Sequence, residues 1–155
     1  MALQVGDKAP EVLGINQDGN EIRLSDFAGK KLVLYFYPKD NTPGCTAQAC
    51  SLRDEYSELR KKGYKVLGVS ADSAASHQKF IQKYDLPFNL ISDGDKTLSE
   101  QFGTWGEKKL YGKSYMGMLR TTFIIDEKGI IENIISPKKV NTKEHGKQVA
   151  GPPAP

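Results

Sequence analysis

The sequence lacks both long apolar runs and long basic runs. No stretch of about eighteen consecutive apolar residues occurs, and the first residues do not show a charged segment followed by an apolar one. Lys and Arg number 22 against 19 for Asp and Glu, and the basic residues stand singly, in pairs or, at 60–62, in one run of three. These absences argue against a membrane-spanning, an exported or a nucleic-acid-binding protein. We therefore expect a soluble cytoplasmic protein with neither a membrane nor a nucleic acid as partner.

Cysteine and histidine are scarce. The only cysteines are Cys45 and Cys50, and the only histidines are His77 and His145. Two cysteines are too few for a disulfide scaffold, and in a reducing compartment they are packing residues, metal ligands or redox-active thiols. Their spacing does not match the Cys-x-x-Cys pattern of a thioredoxin-type site, and the histidines are too remote in sequence to complete a zinc site. We expect both histidines at the surface.

Length and composition favour one domain. The chain has 155 residues, of which 38% are hydrophobic and 26% charged, enough for one core but not for two ordinary domains. We predict a single domain over residues 1–150. The last residues, 151–155, read Gly-Pro-Pro-Ala-Pro and cannot extend a helix, because proline lacks the amide proton and clashes with the preceding turn. We expect a flexible or non-native tail there.

Hydrophobic periodicity predicts alternating strands and helices. Short apolar or alternating runs predict strands at 12–15, 21–24, 32–37, 66–70, 89–92, 121–125 and 130–135. Apolar residues three and four positions apart predict helices at 45–62, between Asp72-Ser73 and Pro87, and at 96–102. The first two strands and the last two should each form a hairpin, and the continuous apolar run 32–37 predicts a central strand. This order predicts an α/β fold with a mixed sheet.

Cys45 stands where a Pro-Gly loop meets the start of a predicted helix. The unpaired amides and the positive end of the helix dipole favour the thiolate there, and the thiolate is the reactive form of cysteine. An inert alternative stays open, because Cys45 also continues an apolar stripe with Ala49 and Leu52 and could be a packing residue. Thr42, three residues earlier, is either a plain helix cap or a hydroxyl that donates to a sulfur or a bound oxygen.

Cys50 follows Cys45 by five residues on the same predicted helix. On an intact helix, residues with that spacing have Cα atoms roughly 8 to 9 Å apart. A disulfide needs less than about 7 Å. If the two cysteines react with each other, the first turns must unwind, so oxidation would be coupled to local unfolding. The alternative for Cys50 is a buried structural cysteine.

A specific motif surrounds Cys45. Residues 35–50 read Tyr-Phe-Tyr-Pro-Lys-Asp-Asn-Thr-Pro-Gly-Cys-Thr-Ala-Gln-Ala-Cys and contain the pattern Pro-x-x-x-Thr-x-x-Cys. This run closely resembles the active-site segment of the bacterioferritin comigratory protein, or peroxiredoxin Q, family. The resemblance covers the chain from Val5 to about Val149 and includes Leu52-Arg53-Asp54, residues 66–70, Trp105-Gly106-Glu107-Lys108 and residues 120–126. The C-terminus departs from the family pattern, because the proline-rich tail replaces further apolar helical turns.

The resemblance implies a thioredoxin-like fold, in which helices flank a mixed central sheet, with an N-terminal β-hairpin extension. It implies a thiol-dependent peroxidase, in which the Cys45 thiolate attacks the O–O bond of a hydroperoxide and becomes a sulfenic acid. Cys50 matches the resolving cysteine, which condenses with that acid to an intramolecular disulfide. By position, Thr42 matches the threonine that hydrogen-bonds the thiolate and peroxide, Pro38 the proline that shields the site, and Arg120 the arginine that holds the thiolate and polarises the peroxide.

The same resemblance implies a hydroperoxide substrate, no metal or prosthetic group, thioredoxin or a glutaredoxin as reductant, a monomer, and a role in antioxidant defence and cell redox homeostasis. Gln48 is expected to order the first helical turn, and Trp105 and Tyr111 to pack near the pocket rather than to catalyse. Three rivals remain open. The chain could be a redox sensor without turnover, a peroxidase whose Cys45 sulfenic acid is resolved by another protein, or a structural protein with two buried cysteines.

Overall fold

The computed structural model describes residues 2–150, so the tail expected at residues 151–155 lies outside the described residues. Strands and helices alternate along this part of the chain. The strands are β1 Val12–Asn16, β2 Glu21–Arg23, β3 Lys31–Phe36, β4 Tyr64–Ser70, β5 Asn89–Ser92, β6 Trp105–Leu110, β7 Lys113–Met118, β8 Thr121–Ile125 and β9 Ile131–Ile135. The helices are α1 Pro43–Asp54, α2 Tyr56–Lys61, α3 Ala74–Tyr84, α4 Thr97–Gln101 and α5 His145–Ala150. Within residues 2–150, no helix combines the length and the hydropathy that crossing a bilayer requires.

Within residues 2–150, seven strands form one mixed sheet in the order β2-β1-β5-β4-β3-β8-β9, and β6 and β7 form a separate hairpin. Strand β3 lies inside the sheet, parallel to β4 and antiparallel to β8. Its residues after Lys31 are buried, because both faces of the sheet are covered. The predicted mixed sheet and central strand are therefore confirmed. The N-terminal hairpin is confirmed as well, and its β1 pairs with β5 in the sheet.

Alternate residues of β3 point into two separate hydrophobic cores, as the pleat of a strand requires. The even-numbered residues of Leu32–Phe36 join one core, and the odd-numbered residues from Val33 onward join the other. The second core also contains Cys45 of α1, Phe80 of α3 and Val149 of α5. Helices α1, α3 and α5 therefore cover the face of the sheet on which Cys45 lies.

The single helix predicted at 45–62 is two helices in the structure. Helix α1 begins earlier, at Pro43, because Thr42 has extended dihedral angles (φ −93°, ψ 156°) and proline is favoured at a first helical position. The helix is interrupted at Glu55, whose φ of −92° and ψ of 0° leave the helical region. The apolar spacing continues across this break to buried Leu59. Periodicity therefore does not reveal the interruption.

The β6–β7 hairpin is not among the predicted elements. Its turn places Tyr111 and Gly112 at positive φ angles of 51° and 76°. The usual sequence signals for such a two-residue turn are Asn-Gly and Asp-Gly, and neither occurs here. Its strands also lack a clear buried face, since Tyr115 and Met116 are adjacent and 48% and 56% exposed. Both signals on which a strand prediction rests are therefore weak in this segment.

The expectation that both histidines lie at the surface is wrong, because His77 and His145 are fully buried. His145, the first residue of α5, forms hydrogen bonds of 2.8 Å through Nε2 with the Thr122 hydroxyl and through Nδ1 with Gln148 Oε1. Burial penalises the charged ring and lowers the pKa of His145 from 6.5 to about 4. The folded chain therefore holds this ring neutral at neutral pH.

Buried His145 should make stability depend on pH. Because its pKa is lower in the folded chain, the unfolded chain takes up the proton first as the pH falls. The stabilisation is fully present above pH 6.5 and is lost as the pH falls toward 4. We expect the free energy of unfolding to drop by about 2 kcal/mol between pH 7.5 and pH 5 from this residue. Urea denaturation at the two pH values measures the drop.

The control for this pH effect is His145→Gln, whose side chain does not titrate. Its free energy of unfolding should change less between the two pH values, by roughly the 2 kcal/mol assigned to His145. Comparing the two chains removes the contribution of every other titrating group, because those groups are shared. An equal pH dependence in both chains would contradict the assignment.

Candidate active site

A short loop connects the end of β3 to α1 and places Cys45 at the N-terminus of that helix. Thr42 is the N-cap of α1 and Pro43 its first residue, so Cys45 lies within the first turn, as the sequence predicts. The amides of a first turn have no partner inside the helix, and the helix dipole is positive there. Cys45 is only 1% exposed, so water screens these partial charges little.

Arg120 brings a full positive charge to the sulfur. It lies between β7 and β8, and its Nη2 donates to Cys45 Sγ at 3.3 Å while its Nη1 donates to Gln48 Oε1 at 2.6 Å. Gly44 leaves room for this approach, since a β-carbon there would make a tight contact of 3.3 Å with Arg120 Nη2. A cation and helix amides beside a cysteine favour its thiolate. The fold thus brings together two predicted site residues that are 75 positions apart.

Gln48 fixes the orientation of the Arg120 guanidinium. It is fully buried, and its side-chain oxygen accepts the hydrogen bond from Arg120. Gln48 comes three residues after Cys45, so the two side chains share one face of α1. That spacing is the sequence signal for its place in the site, although the sequence predicts only a role in ordering the helical turn. Its side-chain nitrogen has no hydrogen-bond partner among residues 2–150.

The hydroxyl oxygen of Tyr35 is also buried, and it has no hydrogen-bond partner in the described part of the chain. The ring belongs to the same core as Cys45 and stacks on Tyr37, with centroids 5.3 Å apart. Burial first, and then the charge on Cys45, raise the pKa of Tyr35 well above its ordinary value. The hydroxyl is therefore a neutral donor. The Tyr35 hydroxyl and the Gln48 side-chain nitrogen are thus two buried donors near Cys45 that no group of residues 2–150 accepts from.

Lys108 of β6 adds a further positive charge on this side of the molecule. Partial burial is the largest cause that lowers the pKa of Lys108, and repulsion from the Arg120 guanidinium adds to it. The negative charge of a Cys45 thiolate acts in the opposite direction. The β6–β7 hairpin therefore contributes to the electropositive surroundings of the sulfur.

Thr42 and Pro38 lie on the loop that leads to Cys45. The Thr42 hydroxyl donates to the Lys39 carbonyl at 3.0 Å, and its side chain makes no capping bond to α1. Its backbone carbonyl does start the helix, accepting from the Thr46 amide at 2.8 Å. Pro38 follows the end of β3 by two residues and is half-buried. The hydrogen bond from the Thr42 hydroxyl to sulfur or peroxide, and the shielding by Pro38, stay predictions.

Cys50 and Cys45 are both free thiols on helix α1. Cys45 is buried, whereas Cys50 is half-buried. Since α1 is continuous over both residues, their Cα atoms are roughly 8 to 9 Å apart, beyond the reach of a disulfide. The structure therefore does not bring the two sulfurs together, and any bond between them requires α1 to open.

A thiol held between helix amides and a guanidinium, at the end of a central strand, is suited to nucleophilic attack as a thiolate. On a mixed sheet of this kind, such a site defines a thiol-dependent oxidoreductase. The chain belongs to the AhpC/TSA family, whose model matches residues 5–134. Its relatives are peroxiredoxins of the Bcp and peroxiredoxin Q type, and like them it is a thiol-dependent peroxidase.

Similarity to curated relatives extends over nearly the whole chain. A putative peroxiredoxin bcp of Coxiella burnetii is 49% identical over 151 residues, covering 97% of this chain and 99% of the relative. Peroxiredoxin Bcp of Escherichia coli K12 is 47% identical over 139 residues, covering 90% of this chain and 89% of the relative. The family implied by the active-site motif is therefore confirmed.

Solved structures confirm the thioredoxin-like fold. A mutant of Xanthomonas campestris peroxiredoxin Q superposes with a TM-score of 0.81 at 39% identity, covering 88% of this chain and 85% of that one. A mutant of Xylella fastidiosa PrxQ superposes with a TM-score of 0.87 at 31% identity, covering 97% and 94%. The sheet and helices around Cys45 are therefore those of a peroxiredoxin.

Gln48→Leu should slow the reaction of Cys45 with hydrogen peroxide by about tenfold, because Arg120 loses the acceptor that orients it toward the sulfur. The reaction is quenched at intervals without reductant, and oxidised Cys45 is quantified by mass spectrometry. Gln101→Leu makes the same change at an exposed position of α4 and serves as the control. An unchanged rate in Gln48→Leu would mean that Arg120 holds its orientation without Gln48.

Proposed function

We propose that the chain reduces hydrogen peroxide and organic hydroperoxides to water and alcohols, with Cys45 as nucleophile. The 3.3 Å contact between Arg120 Nη2 and Cys45 Sγ, in the first turn of α1, carries this proposal. The thiolate attacks the terminal peroxide oxygen and the O–O bond breaks. The sulfur becomes a sulfenic acid, and the leaving alkoxide or hydroxide takes up a proton. This uptake balances the proton that the thiol released when it ionised.

Three neighbouring residues are proposed to assist this step. Arg120 stabilises the charge that develops on the peroxide oxygens as the O–O bond lengthens. The Thr42 hydroxyl, which donates to the loop carbonyl of Lys39 in the structure, turns to the bound peroxide. Pro38 shields the thiolate from water. The positions of Arg120 beside the sulfur and of the other two on the preceding loop support these assignments.

Organic hydroperoxides are included because of a solved relative. The structure of Xanthomonas campestris bacterioferritin comigratory protein, 36% identical with a TM-score of 0.82, is described in terms of alkyl peroxide reduction. That description concerns the relative. The superposition of the two proteins covers 93% of this chain. It supports the proposal, since hydrogen peroxide and alkyl peroxides present the same O–O bond to the thiolate.

Cys50 is proposed to resolve the sulfenic acid. Its thiol attacks the Cys45 sulfur, a disulfide forms and water leaves. Because α1 holds the two thiols apart, its first turns must unwind. Helix α5 limits how much of α1 can unwind. The Gly146 amide of α5 donates to Ser51 Oγ at 2.8 Å. The two helices are also in close contact there, since a β-carbon at Gly146 would collide with the Ser51 carbonyl. We therefore place the unwinding in residues 43–50, before the part of α1 that α5 holds.

Thioredoxin, or alternatively a glutaredoxin, is proposed to return the disulfide to two thiols. Unwinding of the first turns would expose the bonded sulfurs to such a reductant, which has to approach a sulfur closely for thiol–disulfide exchange. We further propose that the protein acts as a cytoplasmic monomer in antioxidant defence and cell redox homeostasis.

Cys45→Ser should abolish peroxide turnover, because the serine hydroxyl is not a nucleophile toward peroxide at neutral pH. The measurement is NADPH oxidation with thioredoxin, thioredoxin reductase and either hydrogen peroxide or cumene hydroperoxide. Robust turnover by the wild-type chain and none by the variant supports the proposal. A wild-type thiol that is oxidised once by peroxide, with no turnover by thioredoxin or glutaredoxin, would instead indicate a sensor.

Cys50→Ser should leave the first oxidation of Cys45 intact and remove the intramolecular disulfide. Cys45 should then accumulate as sulfenic and sulfinic acid, since no neighbouring thiol condenses with it. Mass spectrometry after one equivalent of peroxide distinguishes these products. Full thioredoxin-linked turnover by this variant would contradict a resolving role for Cys50 and point to another protein's thiol.

A further inference from the structure

The loop of residues 38–42, which carries Pro38 and Thr42 and leads to Cys45, contains a buried carboxyl group. Asp40 is 7% exposed, and its Oδ1 accepts from the Tyr37 hydroxyl at 2.5 Å. These contacts lie at the carboxyl end of β3, next to the start of α1. The loop that precedes the nucleophile is therefore organised around Asp40.

Helix α3 supplies the remaining partners of this carboxyl group. Asp40 Oδ2 accepts from the Ser76 hydroxyl at 2.8 Å and lies 2.7 Å from His77 Nδ1. The Asp40 amide donates to Asp72 Oδ2 at 2.8 Å, in the segment just before α3. His77 is fully buried and plays no part in the proposed chemistry at the sulfur. The loop is thus attached to α3 through several buried hydrogen bonds.

The hydrogen bonds of His77 define the charge of the pair. Its Nε2 lies 2.9 Å from the Ile91 carbonyl, and a carbonyl oxygen only accepts, so Nε2 carries a hydrogen. Nδ1 faces a carboxylate oxygen, so this bond needs one more proton, on the ring or on the carboxyl group. In both forms the Asp40–His77 pair has no net charge. It can therefore stay buried without an uncompensated charge.

A second attachment to α3 follows at the next residue of the loop. Asn41 has a positive φ of 59°. Its side-chain oxygen accepts from the Tyr84 hydroxyl at 3.1 Å and from Lys83 Nζ at 3.4 Å, both at the end of α3. The left-handed conformation at Asn41 turns the chain toward the helix cap at Thr42. Two consecutive loop residues are therefore held by the same helix.

We propose that Asp40 and His77 are positioning residues for the peroxidase reaction, an inference that rests on the proposed function. They act through the loop of residues 38–42, not on the sulfur. Holding Asp40 fixes the point at which Thr42 starts α1, and with it the first-turn amides and the position of Cys45 against Arg120. A displacement of about 1 Å in such a site can cost about a hundredfold in rate.

Two substitutions of His77 separate its two hydrogen bonds. The amide nitrogen of asparagine is attached to Cγ, as Nδ1 of histidine is, so His77→Asn keeps a donor for Asp40 and loses the bond to Ile91. The amide of glutamine lies one bond further out, as Nε2 does, so His77→Gln keeps the bond to Ile91 and loses that to Asp40. The quantity measured is the single-turnover rate of Cys45 oxidation by hydrogen peroxide, without reductant.

His77→Asn should react within about threefold of the wild-type rate, whereas His77→Gln should be at least about tenfold slower. Ser76→Ala removes another donor to Asp40 without leaving a buried charge, and should be about threefold slower. Gln78→Ala is the matched control on α3, because its side chain donates to the Gln17 carbonyl at 2.8 Å and not to the loop. This control should react at the wild-type rate.

A wild-type rate in folded His77→Gln would overturn the proposal, and so would equal losses in both His77 variants, which indicate a role in stability only. The free energy of unfolding in urea is measured for every chain, so that rates are compared between folded chains. If His77→Gln does not fold, Ser76→Ala decides, and a wild-type rate there overturns the proposal. A wild-type Cys45 that peroxide does not oxidise contradicts the proposed function instead.

Discussion

The contact between the Arg120 guanidinium and the Cys45 sulfur is the interaction on which the site depends. The thiolate is the nucleophile, and its negative charge must be stabilised. For a buried cysteine, the protein and not water has to supply the stabilising positive charge. The first turn of α1 provides partial charge and Arg120 a full one, with Nη2 3.3 Å from the sulfur. Gln48 accepts from the guanidinium and orients it, and Gly44 leaves room beside it.

Helix α1 meets two requirements that oppose each other. It must be intact for its first-turn amides to face Cys45, yet an intact helix keeps Cys50 beyond the reach of a disulfide. The proposed cycle therefore alternates between a folded α1, in which peroxide is attacked, and a partly unwound one, in which the sulfenic acid is resolved. In the proposed cycle, the hydrogen bond from α5 to Ser51 holds the rest of α1 while the turns that carry the two cysteines open.

Buried polar bonds supplement apolar packing around this site. His77 joins α3 to the loop before Cys45, and His145 joins α5 to Thr122, two residues after Arg120. An unpaired buried charge is costly, and neither histidine carries one. His77 forms a pair with Asp40 that has no net charge, and His145 is a neutral ring. Helix α3 is thus bonded to the loop before Cys45, and helix α5 to the strand that follows Arg120.

By itself, the sequence determined the features that depend on a few neighbouring residues. Apolar runs predicted the strand at 121–125, and the Pro-Gly step predicted Cys45 at a helix start, because strand periodicity and helix capping are local. Arg120 was assigned only through the family resemblance. The tertiary structure decided its contact with sulfur, the break at Glu55 and the burial of His77, since each depends on residues distant in sequence. The burial of a polar side chain cannot be predicted from the sequence, because it depends on a hydrogen-bond partner that offsets the cost of removing the side chain from water. Only the fold supplies that partner.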